Sequence, residues 1–449
     1  MRRFALAGLL IAALAPLVFA NGRPPGTSTI HFQEGHEQNV VAGMTFGLVI
    51  SHDGGTTWHW MCETAVGYGG LWDPDYTYLQ GGTLFATTFS GLKSMTDGCT
   101  FNSTTFGNLF VSTDEGRGSA FLFGAADPSD DKVYKSSNEG STFPTSTTPA
   151  GALVNDWYTS LMFAPSDPTK VYLAGYRFNS SNQKILLLYK SIDGGGTFTA
   201  MGQTGLPTTP ASSSAIDIVG IDPTNPSILY VRVTYANGSL GDTIYKSTNA
   251  GQSWTTLRSK ADTISFLVRS NGDLVIGTRS LGAEVSNNGG TSWTPLNSAP
   301  KINCLVENAA HEVWACTQNY DVMSGSGSDT IPGDGFGIMK STNLTTWTGV
   351  LKYQDIQGPV MCAAGTPQHD TCAQMNWCGL RMQLGITATG GIDCSAVGVD
   401  GAPDGGSGTH VPPTTPPKGC CDTGVGSAPP LAMGLVVGVG LLRRRRKSS

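Results

Sequence analysis

The stretch Ser51-His52-Asp53-Gly54-Gly55-Thr56-Thr57-Trp58 decides the fold. Its form is Ser-x-Asp-x-Gly-x-Thr-Trp, and it recurs along the chain. A second acidic copy is Ser191, Asp193, Gly195, Thr197 and Phe198. Three copies carry Asn in place of Asp. They are Ser136/Asn138/Gly140/Phe143, Ser247/Asn249/Gly251/Trp254 and Ser286/Asn288/Gly290/Trp293. Two copies are worn: Ser94/Thr96/Gly98/Phe101 lacks the acid, and Ser341/Asn343/Trp347 is one residue short and lacks the glycine. The closing aromatics fall at 58, 101, 143, 198, 254, 293 and 347.

Each copy has the chemistry of a hairpin turn. A short carboxylate or amide bonds the turn's own backbone N–H groups. Glycine accepts the positive φ of the reversal. The terminal Trp or Phe packs between strands. Asn can do this work but cannot replace Asp as an acid or nucleophile, so the exchange marks these residues as structural. Between the turns lie β-rich runs such as 170–175 and 228–233, each preceded by an Asp-Pro turn. No long helical period competes with them. A repeat of about 40–50 residues is that of propeller blades. Seven copies predict an all-β, seven-bladed propeller over residues 28–358.

Composition agrees. Charged residues are 13% of the chain, and 59 Gly with 25 Pro starve helices and feed turns. A body taken as residues 21–421 holds 20 basic against 32 acidic residues, a balance of -12. Such a body does not bind phosphate backbones through bulk charge, which excludes nucleic acid as the expected partner.

The ends read differently from the body. Arg2 and Arg3 precede an apolar run to Phe19, and Val18-Phe19-Ala20 offers small residues for cleavage, so residues 1–20 read as a secretory signal. Ten cysteines fit an oxidising compartment. Zinc fails on spacing, since no Cys-x-x-Cys pair exists. The expected disulfides are Cys62–Cys99 and Cys304–Cys316, with Cys362, Cys372, Cys378 and Cys394 pairing among themselves in a Cys-rich segment, 359–400. Residues 401–419 are a Gly/Pro/Thr-rich linker. Residues 420–449 hold Cys420, Cys421, a 12-residue apolar run from Leu431 to Leu442 and five terminal basic residues. That run is short for a bilayer span of about 20 residues.

Over residues 28–358 the octapeptides resemble those of the Asp-box (BNR) repeat propellers, a group that includes sialidases, sortilin-type receptors, xyloglucan hydrolases and photosystem assembly factors. In that family the box lies on outer blade turns, away from the ligand-binding mouth. The last 30 residues resemble the MYXO-CTERM sorting tail of myxobacterial-type surface proteins. The resemblance implies that the tail is processed and that Cys420 or Cys421 becomes the attachment point. An exported, cell-surface, monomeric protein follows, with export and sorting machinery among its partners.

Catalytic signals are sparse. Family sialidases carry Phe/Tyr-Arg-Ile-Pro and a three-arginine cluster; here Gly22-Arg23-Pro24-Pro25 stands near the start, and the body holds eight arginines with no telling spacing. A glycosidase needs two carboxyl groups facing across the mouth. Asp75, Asp156 and Asp217 are the candidates outside the boxes, with Asp73 beside Asp75; turn and strand-end roles fit the same residues. No nucleophile elbow, phosphate loop or His-Glu-x-x-His motif is present. The seven histidines are scattered, so neither cofactor nor metal is expected. The sequence therefore favours a non-catalytic module that offers its mouth to a glycan or a protein. A surface glycoside hydrolase and an assembly factor for exported proteins are the alternatives.

Overall fold

The computed structural model describes residues 24–69, 73–125, 130–207, 215–234, 242–260, 262–280, 282–323 and 330–395. The expected signal at 1–20, the linker at 401–419 and the tail with Cys420 and Cys421 lie outside the described residues. Seven four-stranded antiparallel sheets follow one another along the chain. Their inner strands are Thr27–Phe32, Tyr76–Tyr78, Val111–Arg117, Trp157–Ala164, Ala215–Ile221, Thr263–Val268 and Cys304–Glu307. Each packs against the next, and the last packs against the first. The chain is a seven-bladed β-propeller. Blade 7 also carries a small ribbon, Val322–Met323 with Thr330–Ile331, between its second and third strands.

Every octapeptide joins the third and fourth strands of its blade. In blade 1 the Ser51 hydroxyl donates to Asp53 Oδ1 at 2.8 Å and accepts the Gly55 N–H at 2.9 Å. Asp53 Oδ1 accepts the Thr57 N–H, and Oδ2 accepts the Thr57 hydroxyl at 2.7 Å. The Asn copies keep this net by reversing one bond. Asn138, Asn249 and Asn288 each donate through Nδ2 to the hydroxyl of Thr142, Ser253 or Ser292. A hydroxyl both donates and accepts, so it serves either partner. That is why Asp and Asn exchange freely here.

The glycines answer to two constraints. Gly55, Gly140, Gly195, Gly251 and Gly290 all have positive φ. A Cβ at each would also strike the preceding blade: Trp314 from Gly55, Phe85 from Gly140, Leu122 from Gly195, Met201 from Gly251 and Leu257 from Gly290. Trp58, Phe198 and Trp254 are buried; Phe101, Phe143, Trp293 and Trp347 are half-buried and packed on the blade cores.

The worn copies are repaired rather than lost. In blade 2 the acid is displaced by one residue, and Asp97 Oδ1 accepts the N–H groups of Cys99 and Thr100. In blade 7 Leu344 takes the glycine's place at φ 64°. Its N–H reaches Ser341 Oγ at 2.8 Å, and its side chain fills the blade 6 interface beside Val275, Ala283 and Leu296.

Two of the expected disulfides are replaced by others. Cys62 pairs with Cys372 and Cys99 with Cys362; Cys304–Cys316 forms as expected, and of the later four cysteines only Cys378 and Cys394 pair with each other. The cause is the path of the chain after blade 7. Gly358–Pro359 adds a fifth, parallel strand outside His59–Met61 of blade 1. Val360 N–H and the buried Gln368 amide both donate to the Trp60 carbonyl, and Trp377 lies 5.8 Å from the Trp60 ring. Residues 368–384 are helical and shield this contact. The segment thus sits on blades 1 and 2, within reach of Cys62 and Cys99. The four antiparallel strands of each blade are consecutive in sequence, the blade 7 ribbon aside, so none of them is exchanged across the seam between blades 7 and 1. Phe32 meets Trp314 edge-on at 5.1 Å there, and the Glu37 carboxylate accepts the Ala309 N–H. The C-terminal lap and its two disulfides add covalent closure.

Two outcomes test this account. The double variant Asp53→Asn, Asp193→Asn is expected to melt within about 2 °C of the parent at pH 7, as for other surface changes that keep their bonds. The Thr57 N–H first, then the Thr57 and Ser51 hydroxyls, hold Asp53 at about 2. At Asp193 desolvation opposes, but bonds from Ser191 and Thr197 outweigh it and leave a value of about 2. A depressed carboxylate stabilises above its unfolded pKa near 4, and that contribution is lost as pH falls to about 2. Thermal melts between pH 4 and 2 should therefore show a shallower decline for the double Asn variant. Separately, Cys62→Ala with Cys372→Ala should cost about 2–5 kcal/mol, because that bond closes a very long loop. Hydrogen exchange should then quicken first in Thr27–Phe32 and Cys304–Glu307; unchanged exchange at this seam would refute the clasp.

Candidate functional site: the propeller mouth and its channel

The topology gives the ring two unlike ends. The octapeptides and the turns between first and second strands share one end. The lead-ins to the inner strands and the turns between second and third strands share the other, the mouth. Asp156, Trp157, Arg177 and Lys184 belong to the mouth by this rule, as does Phe89.

A row of aromatic rings crosses blades 2, 3 and 4 at this end. Phe89 stacks on Phe110 with centroids 4.2 Å apart. Phe110 meets Trp157 at 4.7 Å, Trp157 stacks on Tyr176 at 6.1 Å, and Tyr176 meets Phe178 edge-on at 5.6 Å. Phe89 is 54% exposed and Phe178 37% exposed, so both ends of the row face solvent. Leu153 and Val154, in the lead-in to blade 4, are exposed beside it. Lys184 lies over the Tyr176 ring, 3.9 Å from its centroid.

The three candidate acids do not act as a set. Asp156 is fully enclosed and held by Arg177 through two bonds of 2.6 Å, Nε to Oδ1 and Nη2 to Oδ2; its Oδ2 also accepts the Leu153 N–H. Asp217 accepts Arg232 Nη2 at 3.1 Å. These two carboxylates position their arginines and close the local backbone. Asp75 alone belongs to a different neighbourhood, the channel wall between blades 1, 2 and 3.

There Asp75 faces His31 Nε2 at 3.7 Å and shares the field of Asp114 and Glu115. Its side chain is 44% exposed, yet protein surrounds it; a channel residue can be wetted and still poorly solvated as an ion. Burial raises the Asp75 carboxyl, with His31 opposing, and lowers the His31 imidazole. Asp114 is 3% exposed, with neither carboxyl oxygen in a hydrogen bond, and burial followed by the charges of Asp75 and Glu115 holds it far above the usual range. Glu115 is pushed up to about 8, by burial and then by Asp75. Like charges this close cannot all ionise. Sequence reasoning found Asp75 and missed its partners, and it missed the aromatic row. Their common signal is position: each lies on or just before an inner strand, at the end of a second strand, or in the turn after it.

Other features are structural. Trp58, Trp60 and Trp377 are buried core, and His52 bonds Asn39 at the surface. Among the described residues no group of three His, Cys, Asp or Glu side chains is arranged to hold a metal ion, and no helix is long and apolar enough to cross a membrane. Two clefts, about 270 and 400 Å³, lie at the flanks of blades 5 to 7, lined by Lys260, Leu296 and Lys301 and by Pro300, Asp334 and Trp347.

No family model and no curated protein matches the chain. Solved structures do. An ancestral GH74 enzyme is similar at 14% identity and TM-score 0.48, over 75% of this chain and 55% of that one. The extracellular domain of a one-component system from B. thetaiotaomicron is similar at 14% identity and TM-score 0.47, over 73% and 46%. YCF48 from Cyanidioschyzon merolae gives 12% identity and TM-score 0.43, over 65% and 92%. The chain spans about half the length of the first two.

The channel acids make a prediction about pH. Glu115 is protonated in the folded chain up to about pH 8 but ionises near 4.3 when unfolded. Its folded pKa is raised, so the unfolded state binds fewer protons and stability falls as pH climbs from about 4 to 8. Glu115→Gln should melt above the parent at pH 8, while the two coincide below pH 4. Identical pH–stability curves would show that the channel does not hold Glu115 as described.

Proposed function

We propose that this chain is a non-catalytic, glycan-binding propeller displayed outside the cell. The observation that carries the reading is the aromatic row Phe89–Phe110–Trp157–Tyr176–Phe178, which crosses three blades and faces solvent at both ends. Phe110 and Tyr176 are buried within the row, so the exposed Phe89 and Phe178 and the half-buried Trp157 are the rings a ligand meets; rings spaced across three blades suit a chain of sugars, whose apolar ring faces pack on aromatics, better than a single small molecule. The engagement of Asp156 and Asp217 by arginines supports binding over hydrolysis at the mouth, because neither carboxylate is free to protonate a leaving group or activate water. The octapeptides fit membership of the Asp-box (BNR) repeat propellers, in which sialidase chemistry is one variant among several.

The surroundings are proposed from the sequence. Residues 1–20 export the chain, and the 420–449 tail is handled as a MYXO-CTERM sorting tail, with Cys420 or Cys421 as the attachment point at the outer surface. The propeller works as a monomer, with the export and sorting machinery as transient partners.

A second reading draws on the channel. Glu115, protonated at neutral pH, and Asp75 are a carboxyl pair of the kind a surface glycoside hydrolase uses as acid and base. A polysaccharide-binding assay run beside a reducing-end release assay separates the two. Binding is expected without release, and Trp157→Ala should weaken it at least about tenfold, the loss of one aromatic platform. Steady release that vanishes in Glu115→Gln would establish the hydrolase instead. Binding to an exported protein but to no polysaccharide would replace the glycan by a protein ligand.

A further inference from the structure

Lys184 opens the third strand of blade 4 and is only 4% exposed. A lysine that deep ordinarily meets a carboxylate or a carbonyl, because an unpaired buried ammonium is costly. Here its neighbours are rings: Tyr176 at 3.9 Å and Phe178 at 5.9 Å from the ring centroids. Among the described residues no acceptor takes a hydrogen bond from Nζ, and no carboxylate makes an ion pair with it. The ring faces satisfy its charge in part but not its three N–H donors.

The cations beside it are paired and it is not. Asp217 is the carboxylate whose field reaches Lys184, and it is already bonded to Arg232. Asp156, just before the inner strand of the same blade, is held by Arg177. Among the described residues Arg177 and Arg232 thus have carboxylate partners, and no ion pair reaches Lys184. Burial lowers the Lys184 pKa and Asp217 opposes that effect. Nζ is also not among the polar atoms sealed from solvent without a partner, so it keeps some contact with solvent. The rings it meets, Tyr176 and Phe178, are part of the aromatic row.

We propose that Lys184 is the subsite for the carboxylate of a uronate ring, so that the glycan taken at the mouth is an acidic polysaccharide. The inference rests on the glycan-binding reading above. A pyranose packed against the row presents its exocyclic carboxylate to the ammonium, which exchanges a partial cation–π contact for a charge-assisted hydrogen bond. Bulk charge cannot imitate this selectivity. The body carries a balance of -12 and repels polyanions at long range, so any preference for the acidic polymer must come from a local contact.

The test uses the whole chain with polygalacturonate, alginate and hyaluronan, each beside its methyl-esterified form, and a neutral and a sulfated polysaccharide. The parent is expected to bind at least one free acid about tenfold to a hundredfold more tightly than its ester. Lys184→Met, which keeps the stem and removes the charge, should abolish that preference while leaving ester binding unchanged. Lys184→Arg should retain part of it, which guards against a loss caused by misfolding. Equal binding of acid and ester by the parent, with Trp157→Ala still weakening both, would overturn the uronate subsite and leave the glycan reading standing. A sulfated polymer bound as tightly as the free acids, in a manner that depends on Lys184, would overturn the carboxylate assignment. Binding to none of these polymers would bring down the glycan reading itself.

Discussion

The ring depends on one repeated contact, the seating of the turn glycines Gly55, Gly140, Gly195, Gly251 and Gly290 against the side chains of the blade before each. A blade is a twisted wedge, and seven wedges close only if their outer parts approach to a fixed distance. At Gly140 that distance leaves no room for a methyl group against Phe85, and at Gly251 none against Met201. The serine and Asx bonds hold the glycine in the left-handed conformation that makes the approach possible. Side-chain hydrogen bonding and inter-blade packing are thus one device. Leu344 shows the alternative solution, in which a non-glycine residue tolerates φ 64° because its own side chain becomes the packing partner. The strain of a left-handed leucine, of order 1 kcal/mol, is offset by burying it.

This explains which parts of the molecule were legible beforehand. The octapeptide is local: eight residues contain the donor, the acceptor, the glycine and the anchor, so its seven occurrences state the blade number. The disulfides were not legible where they depend on the path of the chain. Cys304 and Cys316 face each other across neighbouring strands of one hairpin, and sequence proximity finds them. Cys62 and Cys99 are joined to residues some three hundred and more than two hundred and fifty positions away, because Gly358–Pro359 returns to the edge of blade 1. No local pattern encodes that return. The candidate site was similarly half-visible. Asp75, Asp156 and Asp217 lie where ligand-facing acids would lie, but whether an acid is free depends on an arginine 15 or 21 residues away on the neighbouring strand.

The two ends of the ring have been given different work. The octapeptide end is stitched from blade to blade by carboxylates that accept backbone N–H groups of neighbouring turns: Glu37 takes Ala309 across the seam, and Glu307 takes Ser270. Those bonds satisfy groups that loops leave unpaired and fix the hairpins rigidly. At the mouth end Phe89, Phe110, Trp157, Tyr176 and Phe178 are joined to one another by ring contacts, which are apolar and cost little to share with a ligand. A rigid base under a surface of shared aromatic faces is a preorganised receptor, in which little ordering is left to do when something binds.

Electrostatics draws the same division more sharply. In the channel, Asp75, Asp114 and Glu115 compete for ionisation, and the cluster reaches a tolerable state by keeping protons. It therefore sheds charge by protonation, although both buried Asp114 oxygens stay without a hydrogen bond. At the mouth the arrangement is the reverse. Asp156 and Asp217 are held by arginines that cannot give up their protons, and Lys184 is left against ring faces without a carboxylate partner. An acid cluster can relax by protonation, but a lysine can relax only by losing its charge or by meeting an anion. With Asp217 in its field and solvent still at Nζ, the second course is open, and the aromatic row determines what kind of molecule can bring that anion in.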